Sequence, residues 1–438
     1  MSIRNKAVYF LLIVIIAMPA INAAKQAEWT ILTYIQADNS LASFALKNIQ
    51  NMQKAASNNN INILVHWNQP ENRKIVRYRV TQKALIEDKN IGIKTYDDHE
   101  KSLVDAMQWA ALRYPAKKYM LNLWNHGSGI IDRVNYLKGR DQIRSPFFNT
   151  TSWLEVPGLK KKSPFRGILY SDTNRTYLNN QQLTRSLKAI AFILGKKIDV
   201  VGMDACFMAM LEVAYQIKDH AKVLVASQNS EPGLGWHYEA FLNNLSKNPH
   251  LFNAPKLSKH IVNTYQKLYA GSVNFYTQSA INLNAIDPIK ENINQLVASL
   301  EQCRMLNEQK IKTTIQTASN KALNFHVGDF IDLHSFYTAL LNAIKGTITN
   351  KQVNKNNREY IAALHDVRAI LRDGLTTINQ GVYHSTAAPQ YNQAHGISIY
   401  LPRKKIHSSY AKTMFANDSL WLHFLETFFA SYSFNEED

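Results

Sequence analysis

The chain has 438 residues, of which 50 are Lys or Arg and 33 are Asp or Glu, so its formal net charge is +17. This length exceeds the roughly 250–300 residues at which a single hydrophobic core stops growing, so we expect one large domain with a substantial extension. The positive charge could suit nucleic acid. However, the basic residues are scattered and no nucleic-acid-binding motif accompanies them, which argues against nucleic acid as a partner.

The first residues have the pattern of a secretory signal peptide. Arg4 and Lys6 form a basic start, an uncharged apolar run covers residues 7–20, and small residues precede a cleavage site after Ala23. The alternative is a retained membrane anchor, but the apolar run is shorter than the about 20 residues that a transmembrane helix needs. We therefore expect residues 1–23 to be removed and the mature protein to be secreted or periplasmic, away from the membrane.

Strand-like and helix-like segments alternate in the N-terminal half. The predicted strands cover residues 29–37, 61–67, 74–80, 119–126, 167–171, 197–205 and 222–227. The predicted helices cover residues 41–56, 102–114, 180–194 and 207–217. This alternation is typical of a mostly parallel sheet that helices cover on both faces. The sequence thus predicts an α/β fold, with residues 24–248 as the domain that carries the chemistry.

The C-terminal region, residues 249–438, has a mainly helical pattern. Its predicted helices cover residues 256–270, 289–317, 331–344, 357–371 and 420–432. Two predicted strands at 280–285 and 396–401 form a pair within this region.

Residues 130–165 differ from their surroundings. They contain Pro146, Pro157 and Pro164 together with many Lys and Arg residues, and they match no periodic pattern. A structureless loop of this length inside a compact domain is uncommon and is usually functional or mobile.

Two predicted strands end on residues that are suited to thiol chemistry. The strand 119–126 ends on His126, and the strand 197–205 is followed by Cys206. Because chemistry in parallel sheets collects beyond the carboxyl ends of the strands, we expect these two residues to meet. A histidine can activate a thiol, and the start of the predicted helix 207–217 would stabilise the thiolate of Cys206. Taken singly, each residue is better explained as structural, but their joint placement favours catalysis.

The neighbours of these residues suggest further roles. Gly127 has no Cβ, so its N–H and that of Cys206 could hold an oxyanion, although a tight turn would equally explain a glycine there. Asp204 lies two residues before Cys206, on the same side of an extended strand, and its carboxylate could bind a basic substrate side chain. The alternative for Asp204 is a cap on the following helix.

Other chemistries lack support in the sequence. It contains no serine-hydrolase elbow, no phosphate-binding loop and no metal-ligand motif, so we expect no metal site. The chain has only two cysteines, Cys206 and Cys303. A disulfide between them is the alternative to a reactive thiol, and their different predicted surroundings argue against it.

Three sequence blocks resemble the clostripain family of cysteine endopeptidases. They are NLWNHGSG at 122–129, DACFMAMLEVAY at 204–215 and VASQNSEPGLGW at 225–236. Weaker matches lie at 167–183, 329–336 and 396–402. The resemblance implies a caspase-like α/β/α sandwich in which His126 and Cys206 form a catalytic dyad. It also implies cleavage after Arg or Lys, with Asp204 lining an acidic specificity pocket.

The resemblance extends to regulation. Members are often matured by cleavage after a basic residue between the histidine and the cysteine, which makes Lys138, Arg140 and Arg144 candidate processing sites. The alternative is that these residues lie in a solvated surface loop. The resemblance implies no required cofactor, although calcium stimulates some members of the family.

The sequence therefore predicts an exported, monomeric cysteine endopeptidase whose partners are peptides or proteins with Arg or Lys before the cleaved bond. One alternative is a non-catalytic exported protein of the same fold that binds cationic peptides through Asp204. Another is an adhesin-like or structural protein whose C-terminal helices supply the contact surface.

Overall fold

A computed structural model describes residues 26–55, 58, 60–69, 74–90, 98–131, 167–325, 327–349, 357–402 and 405–429 of the protein. The predicted signal peptide lies outside these residues, as do most of the loop 130–165 and the candidate processing sites Lys138, Arg140 and Arg144.

The described residues alternate between strands and helices along most of the chain. The strands are β1 (Ala27–Gln36), β2 (Ile61–Asn68), β3 (Ile75–Val80), β4 (Leu85–Glu87), β5 (Ala116–Trp124), β6 (Ile168–Ser171), β7 (Thr176–Leu178), β8 (Ile198–Asp204), β9 (Ala221–Ala226), β10 (Thr277–Asn282), β11 (Phe330–Asp332), β12 (Val382–Ala387) and β13 (Ser398–Tyr400). The helices are α1 (Ala42–Lys54), α2 (His99–Arg113), α3 (Asn180–Leu194), α4 (Leu211–Ile217), α5 (Tyr238–Lys247), α6 (Ala254–Tyr269), α7 (Ile286–Lys321), α8 (Leu333–Thr349), α9 (Arg358–Gly381), α10 (Met414–Asp418) and α11 (Trp421–Phe428).

Nine of the described strands form one central sheet in the order β12-β10-β9-β8-β5-β1-β2-β3-β4. The inner strands β9, β8, β5, β1 and β2 pair in parallel. β3 and β4 extend one edge in antiparallel fashion, and β10 and β12 extend the other. The predicted α/β fold with a mostly parallel sheet is confirmed.

The inner strands are apolar on both sides, which forces helices to cover both faces of the sheet. In β5, Leu121 and Leu123 belong to one buried cluster, whereas Met120 and Trp124 belong to another. The first cluster is completed by α2, α3, α4 and the C-terminal helices, and the second by α1, α5 and α6. The result is a three-layer sandwich with the sheet in the middle.

The region after residue 249 contributes to this sandwich as well as to a helical layer. Helices α7, α8 and α9 pack against one another, while β10 and β12 join the central sheet. The predicted pairing of 280–285 with 396–401 is wrong, because β10 pairs with β9 and β12 and β13 pairs with β11. The pattern missed β12 because this edge strand is half-buried and carries polar residues.

The predicted helix at 331–344 also begins too early. Residues 331 and 332 belong to β11, and the helix starts only at Leu333. Asp332 ends the strand and accepts a hydrogen bond from the N–H of Ser335 at 2.7 Å, which caps the new helix. Within the described residues, no helix combines the length and apolar character needed to cross a bilayer.

Gly374 sits where the three C-terminal helices touch, and a Cβ there would overlap Asn292 of α7 and the ring of Tyr337 of α8. We expect Gly374→Ala to lower the free energy of unfolding by about 1–3 kcal/mol, because the tight crossing must open. Gly346 of α8 is exposed with nothing near its Cβ position, so Gly346→Ala should raise stability by about 0.5–1 kcal/mol through helix propensity. Thermal unfolding of both variants checks this, and shifts in the same direction would contradict it.

Candidate active site

The carboxyl ends of β5 and β8 bring His126 and Cys206 to the same edge of the sheet. The two strands are parallel neighbours in which Trp124 lies opposite Asp204, and the N–H of Asn125 donates to the carbonyl oxygen of Asp204 at 3.3 Å. His126 and Cys206 each follow two residues after this pair. The structure therefore places them on adjacent chain segments beyond the strand ends, as the sequence predicts.

The backbone packing at this point is close. A Cβ on Gly127 would collide with the carbonyl oxygen of Cys206, so only glycine fits there. The side chains of His126 and Cys206 are half-buried, whereas the residues immediately before and after each are buried. The imidazole and the thiol are thus partly exposed to solvent, whereas the residues next to them are not.

The imidazole of His126 is held by a residue that the sequence analysis did not single out. Its Nε2 lies 2.9 Å from the hydroxyl oxygen of Ser40, which follows β1. Because β1 is the next strand beside β5, three neighbouring strand ends contribute to one site. The strand-end rule that identified His126 could have drawn attention to Ser40 too.

Asn125 fixes the backbone just before His126. It accepts a hydrogen bond from the N–H of Tyr170 at 2.9 Å, and its amide donates to the carbonyl oxygens of Tyr170, at 3.2 Å, and Gln36. These bonds tie the end of β5 to both β6 and β1. The position of the imidazole is therefore set by buried contacts on both sides.

The surroundings of Cys206 correct one prediction. The helix expected to begin at residue 207 begins only at Leu211, because Phe207 has a left-handed φ of 63° and its N–H donates to the carbonyl oxygen of Asn229 at 3.1 Å. The helix N-terminus is thus too far along the chain to act directly on the thiol. Instead, the backbone N–H of Glu231 donates to the sulfur at 3.2 Å. Both cysteines are free, so the disulfide alternative is excluded.

Both members of the pair are uncharged at neutral pH. Burial raises the pKa of the Cys206 thiol to about 11; the hydrogen bond from Glu231 opposes this shift, and the nearby carboxylate of Asp204 adds to it. Burial lowers the pKa of His126 to about 4. At rest Cys206 is therefore a thiol and His126 a neutral imidazole, so a thiolate forms only when a base takes the proton of Cys206.

Asp204 lies at the end of β8 in a buried polar pocket. One of its carboxylate oxygens accepts hydrogen bonds from the hydroxyl of Tyr238 at 2.6 Å and from the N–H of Trp236 at 3.2 Å. These contacts involve the segment after β9 rather than the following helix, so Asp204 does not act as the cap that we considered for it.

A second acid, Glu231, lies against Asp204. Burial and repulsion from Asp204 raise the pKa of Glu231 well above its ordinary value, and burial also raises the pKa of Asp204, against the hydrogen bond that Glu231 supplies. The amide of Gln278 donates to Glu231 at 3.2 Å. Repulsion between the two adjacent carboxyls favours a shared proton over two full negative charges. The sequence analysis missed Glu231, although it lies in the block 225–236 after the next strand end.

Comparison with known proteins assigns this fold and site to a family. The model of the clostripain family matches residues 33–428, and the chain therefore belongs to the clostripain family of cysteine peptidases, which are hydrolases. No curated protein sequence matches the chain.

Several solved structures share the fold. A secreted C11 cysteine protease from Bacteroides thetaiotaomicron, bound to an irreversible peptide inhibitor, is 18% identical with a TM-score of 0.59, over 91% of this chain and 100% of that one. An inactive zymogen C11 protease from Parabacteroides distasonis is 18% identical with a TM-score of 0.53, over 93% of this chain and 99% of that one. The recognised family and the caspase-like fold expected from the sequence are thus confirmed.

The raised pKa of Cys206 predicts how the thiol reacts with a small electrophile. Far below its pKa, a thiol gains about tenfold in thiolate per pH unit, so the rate of alkylation of Cys206 by iodoacetamide should rise steadily from pH 6 to pH 9. Peptide mapping by mass spectrometry follows the modified residue, and Cys206→Ala, which leaves only the buried Cys303, is the control. A rate that does not change with pH would instead indicate a preformed thiolate–imidazolium pair.

Proposed function

We propose that the protein is an exported cysteine endopeptidase that hydrolyses peptide bonds after Arg or Lys through His126 and Cys206. The observation that carries the proposal is that His126 and Cys206 each lie two residues beyond the paired ends of β5 and β8, which are adjacent parallel strands. Membership of a cysteine peptidase family supports hydrolysis as the reaction. Export is supported by the signal-peptide pattern that precedes Ala24.

The reaction begins with the uncharged pair. The sulfur of Cys206 attacks the carbonyl carbon of the substrate while its proton passes to His126, and the N–H groups of Gly127 and Cys206 receive the oxyanion. His126 then gives the proton to the leaving amine, which breaks the peptide bond and leaves a thioester. A water molecule, deprotonated by His126, cleaves the thioester and restores the thiol. Ser40 keeps the imidazole in position through these proton transfers.

The acid pair supplies the preference for basic side chains. Asp204 is the last residue of β8 and lies two residues before the nucleophile, and Glu231 contacts both Asp204 and, through its N–H, the sulfur of Cys206. A guanidinium or ammonium group that enters this pocket would pair with carboxyl groups that water solvates poorly. The positive charge would lower the pKa of the two acids, so the proton that they share would leave. A neutral side chain would leave both acids without a counter-charge.

Processing in the loop 130–165 is a further part of the proposal. The acid pair would select a basic residue before the cleaved bond, and this loop offers Lys138, Arg140 and Arg144. All three lie between the two catalytic residues in the sequence. The similarity to a protein described as an inactive zymogen agrees with activation by cleavage. We propose no required cofactor, and stimulation by calcium remains a hypothesis that chelation with and without added calcium tests.

Removal of either catalytic residue should abolish turnover. We expect Cys206→Ala and His126→Ala each to lower kcat/KM for an Arg-containing peptide reporter by at least about a thousandfold, since proton transfer and covalent attack need both groups. Cys303→Ala is the matched control, because this second cysteine is buried away from the site and should leave kcat/KM unchanged. Binding of cationic peptides without hydrolysis, and with no labelling of Cys206 by a peptide electrophile, would instead indicate the non-catalytic alternative.

Neutralising the acid pair should change selectivity more than chemistry. Asp204→Asn and Glu231→Gln should lower the ratio of kcat/KM for an Arg reporter over its citrulline counterpart by about 30-fold or more, as expected when one partner of a buried charge pair is lost (about 2–5 kcal/mol). Citrulline has nearly the shape of Arg without the charge, so it isolates the electrostatic part. An unchanged ratio in both variants would remove the acid pair from substrate recognition.

A further inference from the structure

We propose that Asp332, His334 and His395 form a binding site for a transition-metal ion of the Zn²⁺ type, apart from the catalytic pair. Each residue offers one ligand atom, and these atoms lie within 4.8 Å of one another. Among the described residues, these are the one group of three His, Cys, Asp or Glu side chains close enough to hold an ion. The three residues come from the end of β11, the first turn of α8 and the segment before β13.

The carboxylate of Asp332 is fully buried and rigidly held. One oxygen accepts hydrogen bonds from the amide of Gln228 at 3.0 Å and from the N–H of His395 at 2.7 Å. The other oxygen accepts the N–H of Ser335 at 2.7 Å and lies 3.7 Å from Nδ1 of His395. Because a carboxylate oxygen has two lone pairs, this second oxygen keeps capacity to bind an ion.

The two imidazoles lie close to this carboxylate. Their rings stack with centroids 3.7 Å apart and planes 21° from parallel. Nδ1 of His334 is buried and has no hydrogen-bond partner, which is unusual for a buried polar atom and is explained if the nitrogen is a metal ligand. Nδ1 of His395 contacts the carbonyl oxygen of Gln393 at 2.8 Å.

One ion can reach both rings only after a small adjustment. Lone pairs of imidazole nitrogens lie in the ring plane, so stacked rings direct them side by side rather than at one point. His395 can turn about its side-chain bonds, since 39% of its side chain is exposed and its loop is not part of a strand or helix. His334 and Asp332 then act as the fixed ligands and His395 as the closing one.

The donor set selects the kind of ion. Two imidazoles and one carboxylate are ligands of Zn²⁺ and Co²⁺, and three protein ligands leave the fourth tetrahedral position to water. Calcium prefers six to eight oxygen ligands, and only one of these three residues offers oxygen. This site therefore does not have the ligands that calcium prefers, and it would not be the place where calcium stimulates activity.

An ion at this position would join three segments of the fold. Asp332 binds Gln228, whose side-chain oxygen in turn accepts the N–H of Gly396 at 2.9 Å. Gln228 belongs to the same loop as Glu231, the residue that contacts Cys206 and Asp204. Metal binding should thus stabilise the folded chain and the loop after β9 together.

The test uses the untagged full-length Cys206→Ala protein, because a catalytic thiol and imidazole can themselves bind Zn²⁺. Removing that thiol also makes the result independent of whether the protein is a peptidase. Titration with Co²⁺, followed by its visible absorption, should show one tetrahedral site per chain, which Zn²⁺ displaces and Ca²⁺ does not. Zn²⁺ should also raise the midpoint of thermal unfolding.

Two ligand variants and one matched control locate the site. In the same background, His334→Phe, which keeps a ring in the stack, and His395→Ala should each weaken Co²⁺ binding by at least about tenfold. His384→Ala removes another partly exposed histidine, in β12, and should leave the affinity unchanged. The proposal is overturned if the parent binds no Co²⁺, if neither ligand variant weakens binding, or if His384→Ala weakens it equally.

Discussion

The register between β5 and β8 is the constraint on which the site depends. Parallel pairing sets Trp124 opposite Asp204, and the residues that follow each strand then emerge side by side. A slip of one residue would send every buried side chain of a strand to the opposite face and into the other helix layer, so close packing within the two layers fixes the register. The adjacency of the segments that carry His126 and Cys206 is thus a consequence of how the core packs.

Glu231 contacts both the acid Asp204 and the sulfur of Cys206, so it would link the proposed substrate preference to the reactivity of the thiol. Its carboxyl lies against that of Asp204, and burial and repulsion from Asp204 raise its pKa, while its backbone N–H donates to the sulfur of Cys206. Negative charge in the pocket opposes thiolate formation, while the N–H favours it. Burial is the main reason that the thiol stays protonated, and a cationic side chain in the pocket would neutralise the charge that adds to this effect. Recognition of the substrate and activation of the nucleophile would then occur in the same event.

Local signals predicted some elements well and failed where tertiary contacts decide. Helix α3 matches its predicted bounds because Asn179 and Gln182 form a capping box and Gly195 ends it in a left-handed conformation. The predicted start of α4 at residue 207 was wrong, because Phe207 adopts a left-handed conformation and its N–H donates to Asn229, in a loop that is distant in sequence. The fold class and the placement of His126 and Cys206 beyond adjacent strand ends followed from strand patterns and family motifs. Glu231 and the Asp332 cluster did not, because each depends on a neighbour far along the chain.

The two sides of the loop 130–165 are anchored at one place. Ser128 donates from its N–H to the carbonyl oxygen of Gly167 at 3.1 Å and from its hydroxyl to that of Ile131 at 3.2 Å. Residues 26–131 supply β1 to β5, and the remaining sheet strands come from residues beyond 167, so the β5–β8 seam joins the two halves. A backbone break between them would therefore produce two polypeptides that stay interlocked. Such a particle would keep its native mass and show two bands only after denaturation.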